Sequence, residues 1–496
     1  MNAFENFSTH LAKIADVAFS ASVLSWDQET YMPEKGAEKR GRQISTLAGI
    51  QHELATGDTM EKLLKEVLKD NELKDWQKKC ITIVEEDFLK NKKYSKEFVE
   101  ELSLCISRAF QKWQEAKVKK DFSVFAPELK KLVELKKSEC EILGYKNHPY
   151  NTLLNEHEKG MSIEILDPLF ENLKSDLKPF LQSIANSPQV DDHFFHKHYD
   201  KKKQWDFSLE LLKKIGFDFN AGRQDESTHP FSINFSSEDV RLTTRINEND
   251  LSEIIWSSIH EGGHGLYEQG LSSEFYGLPI SQACSLGIHE SQSRIWENNI
   301  GRSFVFWKGF FPELQKYFPE NLNSISVENF FRGMNKVQAS LIRTNADELT
   351  YHFHVIIRYE IEKELIEGSI HVEDLPKVWN EKYKSYLGLD VPDDSVGVLQ
   401  DIHWSHGSFG YFPTYTLGSL YAAQFFAQAQ KEINNLEEQI SSGNFADFLN
   451  WLRTKIHSKG RIFTSEELCK MITGEGLQSQ YFIDYVKKKY KLIYNF

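Results

Sequence analysis

Two histidines one helical turn apart, with a glutamate between them, constrain this chain more than any other feature: His260-Glu261-Gly262-Gly263-His264. Ile254, Ile255, Trp256 and Ile259 supply apolar anchors just before the motif, and Asp250 suits an N-cap. The pattern therefore predicts a helix from about Asp250 to Gln269. Side chains at i and i+4 share one helix face, so both imidazoles can grip a single ion. Glu261 points beside that ion rather than into it, and can take a proton from water held there.

A catalytic ion of this kind needs a third protein ligand and one open position. Ile288-His289-Glu290-Ser291-Gln292-Ser293 reads as a second helix, and Glu290 is the choice of third ligand, with His289 as its competitor. Adjacent helical side chains diverge by about 100°, so only one of the pair can face the ion. The layout is that of a zinc peptidase active site. A short H-E-x-x-H pattern also recurs by chance; the second His-Glu pair downstream argues against chance here. The cluster His193, His196 and His198 lies in a polar, acidic segment and reads as surface histidines. Gly262 and Gly263 each cost about 1 kcal/mol relative to alanine inside a helix, which implies close approach by another backbone or by substrate.

The chain of 496 residues, 40% hydrophobic, is ample for one large core or two lobes. Its net charge of −14 argues against nucleic acid or anionic membrane as a main partner. The five scattered cysteines, with no C-x-x-C, suit reduced thiols in a cytoplasmic protein. Neither a signal-peptide pattern nor a transmembrane-length apolar run is evident.

Helical periodicity dominates. Phe7, Leu11, Ile14 and Ala18 form one stripe, and Tyr421, Phe425, Ile433, Leu436 and Ile440 another. Segments 60–90, 96–120, 127–143, 163–185, 324–340 and 345–367 also read as helices. One region breaks the pattern: 229–235 and 239–245 alternate β-branched and aromatic residues around a turn at Ser236-Ser237-Glu238. The expectation is a mainly α fold spanning 1–496 as one unit, in two helical lobes about a groove, with a small β-hairpin or sheet just before the metal helix. An edge of that sheet could receive an extended peptide.

Further motifs occur in order around the metal helix. They are His229-Pro230-Phe231; Asp239-x-Arg241-x-Thr243; His289-Glu290-Ser291-Gln292; Ile342-Arg343-x-x-Ala346-Asp347-Glu348; and Gly397-x-x-Gln400-Asp401-x-His403-Trp404. Leu24-Ser25-Trp26-Asp27-Gln28-Glu29-Thr30-Tyr31-Met32-Pro33 precedes them. With His260-Glu261-x-x-His264, this series resembles the M32 metallocarboxypeptidases, the carboxypeptidase Taq group, over essentially the whole chain. The resemblance implies a large helical gluzincin-type fold with zinc on the floor of a deep groove. It also implies a homodimer, and release of single C-terminal residues from peptides with broad specificity.

A carboxypeptidase must activate water, stabilise an oxyanion and hold a free α-carboxylate. The ion with Glu261 as general base serves the first need. Zinc is the expected cofactor, with Co2+ or another divalent ion able to substitute. For the second, the resemblance points to the Gly-, Tyr- and His-rich stretch 403–415, read as a mobile loop followed by a helix. Tyr415 is favoured as oxyanion donor, His406 as a helper in substrate binding and Tyr411 as the alternative tyrosine. For the third, Arg343 is the matching arginine, whose planar fork suits a carboxylate; Arg241 is a helper or structural. Asp347, Glu348, Asp401 and His403 are candidates to support the metal histidines. An oligopeptidase or dipeptidyl carboxypeptidase on a similar scaffold is the runner-up, and an inactive peptide-binding protein the third reading.

Overall fold

The computed structural model describes residues 2–496. The chain packs as two compact units: residues 1–92, 191–334 and 422–476 form the first, and residues 93–190, 335–421 and 477–496 the second.

The first unit opens on the helix Ala3–Thr30, started by a capping box. The Asn2 side chain accepts from the Glu5 amide at 2.8 Å while the Glu5 carboxylate accepts from the Asn2 amide at 2.9 Å. Its inner face buries Phe7 and Leu11 in a cluster with Met60, Leu64, Val67, Ile81, Val84, Phe88 and Leu278, and Ile14 packs at the margin. The segment expected as one helix over 60–90 is two, Asp58–Val67 and Asp75–Asn91. The Asp70 carboxylate accepts from the Glu72 amide at 2.9 Å, a local bond that competes with the helical one and turns the chain.

The hairpin expected before the metal helix is present as β2 of a three-stranded sheet, Ser232–Ser236, paired antiparallel with β3, Asp239–Thr244. The first strand, β1, Gly222–Glu226, lies parallel to β3, giving the order β1-β3-β2. Its sequence, Gly-Arg-Gln-Asp-Glu, has no β-branched or aromatic residue, so alternation could not reveal it. The signal was Gly222: a Cβ there would collide with the Val240 carbonyl oxygen and the Phe217 ring.

The metal helix runs Leu251–Glu268, between Asp250 and Gln269 as its caps. Asp250 accepts from the Ser252 amide at 2.8 Å. Ile254, Ile255 and Ile259 are buried, and the helix packs against Lys201–Ile215, β3 and the helix Leu286–Arg294. Gly263 explains why that last contact is so close. A Cβ there would stand 2.6 Å from the Gln292 carbonyl oxygen and 2.7 Å from Ser293 Cα. Gly262 instead makes room for the Leu212 and Ile215 side chains. The two glycines thus answer to two different neighbours.

The second unit is built around the helix Tyr351–Glu367, whose buried residues include His352, His354, Arg358 and Glu362. It starts later than the expected 345 because Asp347 accepts from the Leu349 and Thr350 amides at 2.9 and 3.0 Å. The helices Lys96–Lys119, Ala126–Leu143 and Ile163–Ala185 match the expected segments. The stretch 324–340 is helical only over Val327–Met334. Beyond it, the Val337 amide donates to the Tyr494 hydroxyl and the Gln338 amide to Asp347, so side chains take the donors a helix would use. The stripe from Tyr421 to Ile440 is likewise divided between Pro413–Glu432 and Leu436–Ser441, with Asn435 left-handed at φ 55°.

Candidate metal centre

His260 and His264 project from the metal helix with ring centroids 4.9 Å apart, and Glu290 meets them from the next helix. Glu290 Oε2 lies 3.7 Å from His260 Nε2 and 3.5 Å from His264 Nε2. The ligand atoms of all three lie within 4.8 Å of one another, and this is the one such group among the described residues. Ligand atoms of a tetrahedral zinc site, with bonds of about 2.0–2.1 Å, are separated by roughly 3.3 Å, so the donor set fits a small divalent ion.

The neighbours of the triad fix its orientation. His260 Nδ1 meets Glu297 Oε2 at 2.8 Å, and His264 Nδ1 meets the His289 carbonyl oxygen at 3.1 Å. A carboxylate and a carbonyl only accept, and with the His289 Nε2 proton on Glu268 the His289 Nδ1, 2.6 Å from His264 Nδ1, accepts as well; the protons then sit on Nδ1 of His260 and His264 and the Nε2 lone pairs face inward. Glu290 Oε1 accepts from Arg294 Nε at 2.7 Å and Oε2 from the Ser293 hydroxyl at 3.0 Å, which leaves Oε2 one lone pair towards the histidines. His289, the competitor for third ligand, turns away. Its Nε2 lies 2.8 Å from Glu268 Oε1, and Glu268 Oε2 accepts from Asn234 of β2 at 2.6 Å.

Charge follows from these contacts. Burial opposes ionisation of Glu290, but Arg294 and His260 outweigh it and hold the carboxyl well below the usual range. Burial and the adjacent His289 press His264 down to about 3, keeping its ring neutral. Glu261, 7% exposed, is pushed up to about 7, chiefly by burial, with His260 foremost and then His289 and the Ser232 hydroxyl working against the rise. Ser232 opens β2, so the start of this outer strand lies at the Glu261 carboxylate.

Arg241 also belongs to the first unit. It pairs with Asp239 two residues away, at 2.9–3.0 Å, and stacks on Trp26 and Phe235 with centroid distances of 4.3 and 4.8 Å. The Trp26 signature of the N-terminal helix is thereby joined to the sheet. The histidines His193 and His196 pair with Asp191, Asp192 and Asp250 instead of converging on one point.

In the second unit Arg343, 7% exposed, donates through Nε to Asp401 Oδ1 at 2.9 Å and through Nη1 to the Tyr351 hydroxyl at 3.2 Å. Asp401 Oδ2 accepts from Arg358 Nε at 2.7 Å. Two guanidinium groups against one carboxylate leave a net positive charge suited to an anionic group. The Arg343 guanidinium carbon stacks 4.7 Å from the Tyr415 ring centroid, and the Tyr415 hydroxyl lies 3.0 Å from His403 Nε2. Tyr411 packs near His403 and Tyr415, and His406 is exposed beside Phe110. The stretch read as a mobile loop is a short 3₁₀ turn, His403–His406, leading to the helix at Pro413. It is pinned by Glu362, which accepts from Tyr150, Trp404 Nε1 and the Gly410 amide at 2.7–2.8 Å.

Four residues expected to support the metal histidines have other partners. Asp401 holds two arginines, His403 holds Tyr415, Asp347 caps main chain, and Glu348 accepts from Lys489 and Tyr490. Glu297, Glu268 and Ser232 were missed. For Glu297 the available signal was its place two helical turns beyond Glu290, on the same face.

The family profile described as carboxypeptidase Taq (M32) metallopeptidase matches residues 6–490. Thermostable carboxypeptidase 1 of Thermus thermophilus is 40% identical, covering 99% of this chain and 99% of that protein. The crystal structure of an M32 carboxypeptidase from Deinococcus radiodurans superposes with a TM-score of 0.98 at 36% identity, covering 100% of both chains. A solved structure described as that of CHT gives a TM-score of 0.97 at 54% identity, over 98% of this chain and 99% of that one. The chain is a member of the carboxypeptidase Taq (M32) metallopeptidase family.

Proposed function

We propose that the protein is a zinc carboxypeptidase that releases single amino acids from the free C-termini of peptides, with broad side-chain tolerance. The observation that carries this reading is the convergence of His260 Nε2, His264 Nε2 and Glu290 Oε2 beside the buried Glu261 carboxyl. A zinc ion, or Co2+ in its place, supplies Lewis-acid polarisation there and brings the pKa of water towards about 7.

Glu261 accepts the proton as water attacks the last peptide bond, and returns it to the departing amine. The Tyr415 hydroxyl, oriented by His403, donates to the oxyanion developing on the scissile carbonyl. Arg343, braced by Asp401, pairs with the substrate's α-carboxylate. Tyr411, His406 and Arg241 contact the peptide. The family resemblance is the ground for expecting a homodimer, and the five scattered cysteines for expecting a cytoplasmic protein; sedimentation and fractionation test the two. Among the described residues no helix is long and apolar enough to cross a membrane.

The test is mass spectrometry of a peptide ladder with free and amidated C-termini, with and without a chelator. Loss of one residue at a time from free termini only, abolished by the chelator, is expected. Cleavage of the amidated peptides indicates an oligopeptidase, release of residue pairs a dipeptidyl carboxypeptidase, and no cleavage a peptide-binding protein.

A further inference from the structure

We propose that Glu297, presented by a π-helical turn and clamped between Arg294 and Arg302, is the positioning residue that fixes His260 for metal binding. The inference rests on the reading of His260, His264 and Glu290 as the ligands.

The helix that carries Glu290 is α-helical over Leu286–Arg294 and continues as a π-helix over Ile295–Gly301. Widened turns of this kind are uncommon and concentrate at functional sites. Here the widening has a definite result. Five residues in an α-helix turn through about 500°, so side chains at i and i+5 point apart; in a π-turn they come together. Arg302 Nη2 thereby reaches Glu297 Oε1 at 3.3 Å. From the α-helical side Arg294 Nη1 reaches Glu297 Oε2 at 3.1 Å, while its Nε holds Glu290. Arg302 is itself fixed, donating to the Met334 carbonyl oxygen at 3.0 Å and stacking 3.9 Å from the Trp256 ring centroid. The turn ends on Gly301, where a Cβ would stand 3.0 Å from Ile259 Cδ1, the residue before His260.

A buried carboxylate held by two arginines has its third partner in His260 Nδ1, at 2.8 Å. Because a carboxylate only accepts, the imidazole proton stays on Nδ1 and Nε2 keeps its lone pair for the ion. The second histidine is supported differently. His264 Nδ1 has a main-chain carbonyl at 3.1 Å and the His289 ring nitrogen at 2.6 Å, but no carboxylate. Arg294 couples the arrangement, since one guanidinium grips both the ligand Glu290 and its neighbour Glu297. If Glu297 were only a counter-ion for the arginines, its loss would alter stability and leave zinc affinity unchanged.

The experiment is zinc competition against a chromophoric chelator, using metal-stripped full-length protein, with circular dichroism of the same samples. Wild type is expected to bind one equivalent tightly; failure to do so removes the metal-site reading itself. Given tight wild-type binding, Glu297→Gln and Glu297→Ala are expected to weaken zinc by about 10- to 100-fold, alanine more than glutamine. Dissociation constants within about twofold of wild type in folded variants overturn the proposal. If neither variant folds, Arg302→Lys keeps the charge but loosens the grip on Glu297. Zinc binding must then weaken by at least about threefold, and an unchanged constant overturns the proposal equally.

Discussion

Gly263 and Gln292 bring the helix of His260 and His264 into backbone contact with that of Glu290: a Cβ at Gly263 would stand 2.6 Å from the Gln292 carbonyl oxygen. The contact sets the separation between the imidazole pair and Glu290. Gly263→Ala is therefore expected to destabilise the fold by about 1–3 kcal/mol through overpacking. Because the Glu290 helix must yield, zinc affinity falls as well. Denaturant unfolding and metal titration of the same variant check both effects. Gly262→Ala, which meets only side chains, should disturb the metal less.

Glu261 stands outside the group formed by His260, His264 and Glu290, and its exchange for glutamine separates binding from chemistry. Glu261→Gln is expected to retain one equivalent of zinc while kcat falls by about 10²- to 10⁴-fold. Metal analysis and turnover on one preparation provide the comparison. Turnover near the wild-type rate removes Glu261 from its role.

The metal helix was legible because its signals agree: the Asp250 cap, the apolar anchors and the His260–His264 spacing all describe one helix. Helical geometry required that only one of His289 and Glu290 face the ion; which of them does so was a choice, and the structure brings Glu290 beside His260 and His264. What stayed hidden was set by tertiary contacts. Gly222–Glu226 is a strand because β3 offers it an edge, not because its residues favour one. The helix expected over 60–90 breaks where Asp70 bonds its own main chain. Spacing placed Glu297 two turns beyond Glu290, but only the π-turn and Arg302 together set it apart from other helical acids. Asp401 was read towards the metal because nothing in the sequence showed that Arg358 lies behind it.

Asp401 is the only carboxylate bonded to both Arg343 and Arg358 among the described hydrogen bonds. Asp401→Asn leaves two buried guanidinium groups without their counter-ion and is expected to cost about 3–5 kcal/mol at neutral pH. Although burial works to raise it, Arg358 and Arg343 hold the Asp401 carboxyl below its ordinary value. A depressed acid contributes stability above its unfolded pKa of about 3.9, and that contribution is lost as pH falls through the folded value. The gap between wild type and variant should therefore be full near neutrality and narrow below about pH 4. Urea unfolding across that range measures it; a gap that widens on acidification contradicts the assignment.

Tyr415 has its hydroxyl on His403 and its ring against Arg343. In the oxyanion-donor role proposed for it, it would act on the transition state more than on the bound peptide. Tyr415→Phe is expected to lower kcat by about 10²- to 10³-fold with little change in KM. Tyr411→Phe should be milder. Steady-state kinetics on one dipeptide series decides between the two tyrosines, and the opposite ranking assigns the donor role to Tyr411.

The most direct measurement is anomalous X-ray scattering at the zinc edge from zinc-loaded crystals, with activity assayed before and after chelation. The account predicts one ion bonded at about 2.0–2.2 Å to His260 Nε2, His264 Nε2 and Glu290 Oε2, with peptidase activity lost on its removal and restored on its return. An ion bound elsewhere, or full activity in metal-free protein, contradicts it.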